Sequence, residues 1–197
     1  DHDKPFDHVV VDEAQDLGIA ELRFIASIAR PIPNALFFAG DLGQRIFQQP
    51  FSWKSLGVDI RGRSVTLKVN YRTSHQIRTA ADQLLPSVVH DVDGLEESRF
   101  GTVSVFNGPE PSVGLFKSRE QEAARAAAWI KDAVSAGLTP ADIAIFVRTP
   151  ELLERARAAA RAAGFGAAEL SERVRDRGDK ISIGTMHLAK GLEFKGV

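Results

Sequence analysis

The stretch VVVDEAQD, Val9–Asp16, decides how the rest of the chain is read. Phe6 and Val9–Val11 form a β-branched, apolar run that predicts a short, fully buried strand. Asp12, Glu13 and Asp16 follow where that strand ends, close enough to repel one another unless a cation or a helix end answers them. Helix capping accounts for one of the three. Asp16 precedes GIAELRFIASIA, in which Ile19, Leu22, Ile25, Ala26 and Ala29 recur at helical spacing, so Asp16 is the expected N-cap. Two carboxylates at the end of a buried strand remain to be explained.

Working outward, strands and helices alternate. Strand 6–11 leads to helix 17–30, then Pro31 and Pro33 punctuate, and a strand over 35–39 ends at Gly40-Asp41. An irregular segment runs to about Gly62. Alternation at Val65, Leu67 and Val69 predicts a strand, residues 74–85 a helix closed by Pro86, and 86–101 a loop. Strands are expected near 102–106 and 113–116, followed by an alanine-rich helix over 119–136. Thr139-Pro140 turns into a strand over 143–147, and Pro150 opens a helix that Gly164 stops. The charged segment 171–180 is expected to be exposed, and Ile181–Ile183 is a strand running into Gly184-Thr185. This order argues for α/β layers with mostly parallel sheets, in which ligands sit at the carboxyl ends of the strands. Polar residues stand at three such ends: Asp12-Glu13, Gly40-Asp41 and Thr185.

Composition bounds the rest. The 197 residues can bury a substantial core and are 44% hydrophobic and 26% charged, ordinary values for a globular protein. No apolar run is long enough to span a membrane. The absence of cysteine excludes disulfides and thiolate metal sites and fits a reducing, cytoplasmic compartment. The five histidines show no ligand spacing, so no protein-ligated metal is expected. Net charge is −1, yet residues 42–80 hold Arg45, Lys54, Arg61, Arg63, Lys68, Arg72 and Arg78 against Asp59 alone. Such a local excess suits phosphates as well as it suits a solvated face.

Four segments in order, DEAQD (12–16), GDLGQRIF (40–47), NYRTS (70–74) and GTMHLAKGLEF (184–194), resemble the second to fifth motifs of the UvrD/Rep-like superfamily 1 DNA helicases. Each alone is weak; four in sequence span nearly the whole chain. The resemblance implies RecA-like, P-loop NTPase-type parallel sheets. Residues 1–72 would be the C-terminal part of a first, ATP-binding domain, and 73–197 most of a second. ATP and Mg²⁺ would be the cofactors and single-stranded DNA the partner.

The resemblance also assigns roles. Asp12 would hold the Mg²⁺ shell through water, and Glu13 would polarise the attacking water as general base. Gln15 would lie against the nucleotide pocket and help couple it to the DNA-side loops, with Gly40 and Asp41 beside it and Gln44 sensing the γ-phosphate. Arg72 would reach that phosphate with a planar, permanently charged guanidinium, as an arginine finger does. Asn70 and Tyr71 would fix the loop, with Tyr71 near the adenine. Gly191 and Glu193 would approach the nucleotide, Glu193 at the ribose. Thr185 and His187 would contact the DNA backbone, and Lys190 either ligand. An aromatic of QQPFSWKSLG, Trp53 or Phe51, would stack on a base; a core role for Trp53 is the alternative.

Departures from the family pattern are equally informative. The sequence contains no G-x-x-x-x-G-K-[ST] phosphate loop, and GLFKS at 114–118 lacks the glycine before lysine. The last, arginine-bearing motif would fall past Val197. About 110 residues separate Arg72 from Thr185, roughly one domain, which leaves little space for an inserted one. The chain is therefore expected to be a piece of a longer helicase or translocase. A noncatalytic module retained for DNA or protein contacts is the alternative, against which a water-activating glutamate speaks. A small-molecule phosphotransferase would explain the acidic pair but neither NYRTS nor GTMHLAKGLEF.

Overall fold

The computed structural model describes residues 4–41, 44, 53, 57–58, 62–84, 88–90, 96–98, 100–171 and 178–197. Its contacts divide the chain into two compact units, residues 1–111 and 112–197. The 72/73 division drawn from the motifs falls inside the first unit.

In the first unit, β1 (Val9–Val11) pairs in parallel with β2 (Leu36–Phe38), with Val9 opposite Leu36 and Val11 opposite Phe38. Between them runs α1 (Ile19–Ile28), which buries Leu22 against Ala14, Trp53 and Val58, with Val11, Leu36 and Phe38 packed alongside. The helix covers one face of the pair only. Val10 and Phe37 point the other way and are 72% and 61% exposed, so β1 is half-buried rather than fully buried. Phe6, expected to begin this strand, forms an isolated parallel bridge with Ala29 instead.

Farther along, β3 (Val69–Asn70) pairs in parallel with β6 (Val103–Ser104), and α2 (His75–Asp82) follows β3. Ser74 is buried and caps α2 by accepting the Ile77 N–H at 3.4 Å. The expected loop over 86–101 contains a hairpin, β4 (Val88–His90) antiparallel to β5 (Glu96–Ser98). Val65 and Leu67 lie outside any strand and are exposed, so the expected strand there is confined to its last residues.

The second unit holds α3 (Arg119–Ser135), β7 (Ala144–Val147), α4 (Leu153–Ala163), β8 (Ala167–Glu169) and β9 (Ile181–Thr185). The three strands form a parallel sheet in the order β7-β9-β8. Central β9 buries Ile181 with Ile143, and α3 and α4 add Ala127, Ile130, Ala160 and Ala163. Alanine on both helices lets their backbones approach closely over the sheet. Gly164, at φ 92°, ends α4 in the left-handed conformation that glycine adopts without penalty. The strand expected at 113–116 is absent, and Val113 and Leu115 stand almost fully exposed. The GLFKS segment instead enters α3, where Ser118 accepts the Gln121 N–H at 3.3 Å. Both units mix helices with small parallel sheets, an α/β organisation. Among the described residues no helix is long and apolar enough to cross a membrane.

Candidate nucleotide and nucleic-acid site

At the carboxyl end of β1, the chain turns sharply. Glu13 takes a left-handed backbone (φ 53°, ψ 38°) and leads into a 3-10 turn, Ala14–Asp16. For a residue with a Cβ this conformation costs on the order of 1–3 kcal/mol, so the surroundings must hold it. They do so from both sides. The Asp12 carboxylate accepts the Glu13 N–H at 2.9 Å, and the Ala14 N–H donates to the Ala39 carbonyl at 2.8 Å. The helix that follows is capped by Gly18 with no side-chain bond, so Asp16 is not its N-cap. The turn intervenes, and Asp16 lies within it.

Asp12 and Glu13 are exposed, whereas Gln15 is only 2% exposed. Its amide nitrogen donates to the Glu13 carboxylate, and its amide oxygen accepts the Asp41 N–H at 3.1 Å. The ends of β1 and β2 are thereby joined through one side chain. Gly40 makes room for it: a Cβ there would lie 2.4 Å from the Gln15 Oε1. Gln44 turns back on Asp41, its Nε2 donating to Oδ2 at 2.9 Å and its N–H to the Asp41 carbonyl at 3.0 Å. Asp12, Glu13, Gln15, Gly40, Asp41 and Gln44 thus form one connected group at neighbouring strand ends.

This group fits a magnesium ion of the nucleotide-bound kind. Mg²⁺ in such sites keeps waters and phosphate oxygens and takes one or two protein carboxylates. Asp12 is an exposed carboxylate at the strand end, and among the described residues no cluster of three or more His, Cys, Asp or Glu forms a protein cage.

Trp53 lies elsewhere. It is 5% exposed and packs in the core beside Leu22, its ring 4.9 Å from that of Phe38 at a tilt of 53°. A ring held this way offers no face to a base, so the core alternative describes it. Phe51 lies outside the described residues, as do Arg45, Lys54, Asp59 and Arg61 of the basic run.

In NYRTS, the Asn70 carboxamide oxygen accepts the backbone N–H groups of Arg72 and Thr73 at 2.9 and 3.0 Å. These two hydrogen bonds to the backbone form an Asx-type turn that shapes the loop. Tyr71 and Arg72 are exposed on it.

In the second unit, Thr185 ends β9 opposite Val147 of β7. A 3-10 turn, Met186–Ala189, carries His187 on its exposed side, and Lys190, Gly191 and Glu193 follow. Gly191 adopts φ 75° and suits glycine for that reason. The segment then returns along the sheet. Gly196 bridges Ile143, Lys195 and Gly196 donate their N–H groups to the Asp142 carbonyl, and the Lys195 ammonium lies 3.0 Å from the Asp142 carboxylate. Asp142 also accepts the Thr139 N–H at 2.9 Å and its hydroxyl at 2.7 Å. These bonds and Lys195 hold the Asp142 carboxyl well below the usual range, at about 2. The Asp142–Lys195 anchor was not anticipated from sequence, although the Thr139-Pro-Ala-Asp142 spacing is a capping-box signal.

The units therefore each collect part of the expected set: Asp12, Glu13, Gln15, Gly40, Asp41, Gln44, Tyr71 and Arg72 in the first, and Thr185, His187, Lys190, Gly191 and Glu193 in the second. No protein-family profile matches the chain. Among curated proteins it is similar to "Putative ATP-dependent DNA helicase YjcD" of Bacillus subtilis (strain 168), with 26% identity over 149 residues. That alignment covers 73% of this chain and 19% of the relative, so the chain spans about a fifth of that protein's length. The likeness supports a helicase-like relationship.

Proposed function

We propose that the chain is part of a UvrD/Rep-like superfamily 1 motor that couples Mg-ATP hydrolysis to movement on single-stranded DNA in the cytoplasm. Its sheets would be the RecA-like cores of two motor domains, residues 1–72 belonging to the first and 73–197 to the second. The observation that carries this reading is the acidic strand end of β1, tied through Gln15 to Asp41 just past β2, within a chain whose four motifs keep the helicase order. An acidic pair that only capped a helix would have no reason to be wired to a second strand end.

In this reading Asp12 would hold Mg²⁺ through water, which would supply charge neutralisation for the β- and γ-phosphates. Glu13 accepts a proton from the attacking water. Gln44 and Arg72 donate to the γ-phosphate as charge develops. On the first unit Tyr71 would lie near an adenine; on the second, the resemblance assigns Gly191 and Glu193 to the nucleotide, and Thr185, His187 and Lys190 to DNA phosphates. Backbone contacts of this kind are sequence-independent, as a translocating motor requires.

In the full-length protein, Glu13→Gln should bind Mg-ATP like the parent and hydrolyse it about 10²–10⁴-fold more slowly, the usual cost of losing a general base. Arg72→Ala should also slow hydrolysis. Single-turnover phosphate release alongside nucleotide binding measures both. Parental hydrolysis by both variants would falsify the assignment.

A further inference from the structure

Gln15 reaches solvent with almost none of its surface, yet both ends of its carboxamide are used. Buried amides are placed by their partners, and each of these partners belongs to the candidate site. The nitrogen donates to the Glu13 carboxylate, the only side-chain bond recorded for that group among the described residues. The oxygen accepts the N–H of Asp41, whose carboxylate in turn accepts from Gln44. Gly40 closes the arrangement. A Cβ at that position would meet the Gln15 Oε1 at 2.4 Å, and the backbone nitrogens of Gln15 and Ala14 at 3.2 and 3.3 Å. Displacing the Oε1 would break its bond to Asp41, so this contact cannot be relieved by a free rotation.

We propose that Gln15 is a positioning residue rather than a nucleotide contact: its buried carboxamide aims the Glu13 carboxylate and fixes the Asp41 turn together, and Gly40 is glycine because that carboxamide occupies the space of a side chain. The proposal rests on the reading of Glu13 as the residue that orients water. Glu13 holds a left-handed backbone at the end of a three-residue strand. Without a bond to its carboxylate, its side chain would sample several rotamers, few of them productive.

Two variants displace the carboxamide independently. Gln15→Ala removes it, and Gly40→Ala pushes it aside. In the full-length protein, each should lower kcat for Mg-ATP about 10–100-fold while leaving KM within about threefold, the pattern of a lost supporting bond rather than lost substrate binding. In thermal melting, Gly40→Ala should cost clearly more in the Gln15 parent than in a Gln15→Ala background, where the closest clash is gone. A raised KM at unchanged kcat in Gln15→Ala would make Gln15 a nucleotide contact and overturn the proposal. Equal melting costs of Gly40→Ala in the two backgrounds would overturn it as well. Parental turnover by Glu13→Gln would instead remove Glu13 from the proposed function, and the melting comparison would still decide whether the interlock exists.

Discussion

Trp53 shows how far a residue type can mislead when its surroundings are unknown. An aromatic among polar and basic neighbours in QQPFSWKSLG reads as a stacking platform, and the same ring serves equally well as a core anchor. The fold decides by bringing Phe38 and Leu22, distant in sequence, against the indole. Trp53→Ala should therefore destabilise by about 3–5 kcal/mol, the range for emptying a large aromatic site. Affinity for single-stranded DNA should fall only with the folded fraction, which melting and fluorescence-anisotropy titrations on one preparation separate. A loss of DNA affinity at an unchanged melting temperature would return Trp53 to the DNA path. Gln15 is the converse case. Its identity was legible within DEAQD, but its inward direction was not, because that direction depends on Asp41 and Gly40, some 25 residues away.

Elements were legible where their own residues carried the reason. The apolar runs of β1, β2 and β7 and the capped helices α2, α3 and α4 follow from local pattern. Those that depend on distant partners were not. β8 is Ala-Ala-Glu, without strand propensity, and exists because β9 offers it a ladder. The segment 113–116 has strand-like residues and no ladder, and stays irregular. The turn Thr139–Asp142 belongs to this scale, since it fastens the entry of β7 to Lys195. Backbone and hydroxyl bonds from Thr139, then Lys195, lower the Asp142 carboxyl from 3.8 to about 2 on folding. A depressed carboxyl stabilises the fold fully above its unfolded value and loses that contribution as pH falls through the folded one. Acid unfolding of the chain should accordingly steepen between pH 3.8 and about 2. Asp142→Asn should flatten that interval, as chemical denaturation at stepped pH would record; an unchanged slope would show that the carboxylate contributes nothing there.

For the molecule as a whole, the decisive fact is what accompanies the acidic strand end. In the proposed reading Asp12 and Glu13 would serve the metal and the water, while the β- and γ-phosphates of such nucleotides are normally cradled by a glycine-rich loop. The 197 residues contain no such sequence. The purified chain, given Mg-ATP and single-stranded DNA, should release phosphate only at background rate; DNA-stimulated turnover would mean that another segment does the cradling. One feature of the second unit bears on any ligand held there. The segment after β9 leaves the sheet at Thr185, beside the far end of β7, and rejoins it at Gly196, beside the near end. Parallel strands of one sheet are usually connected by a dozen or more residues with a helix between them; here residues 186–195, with a 3-10 turn, carry the chain from one edge of β7 to the other. Such a segment is pinned at both ends, not at one. It is a bridge on two abutments.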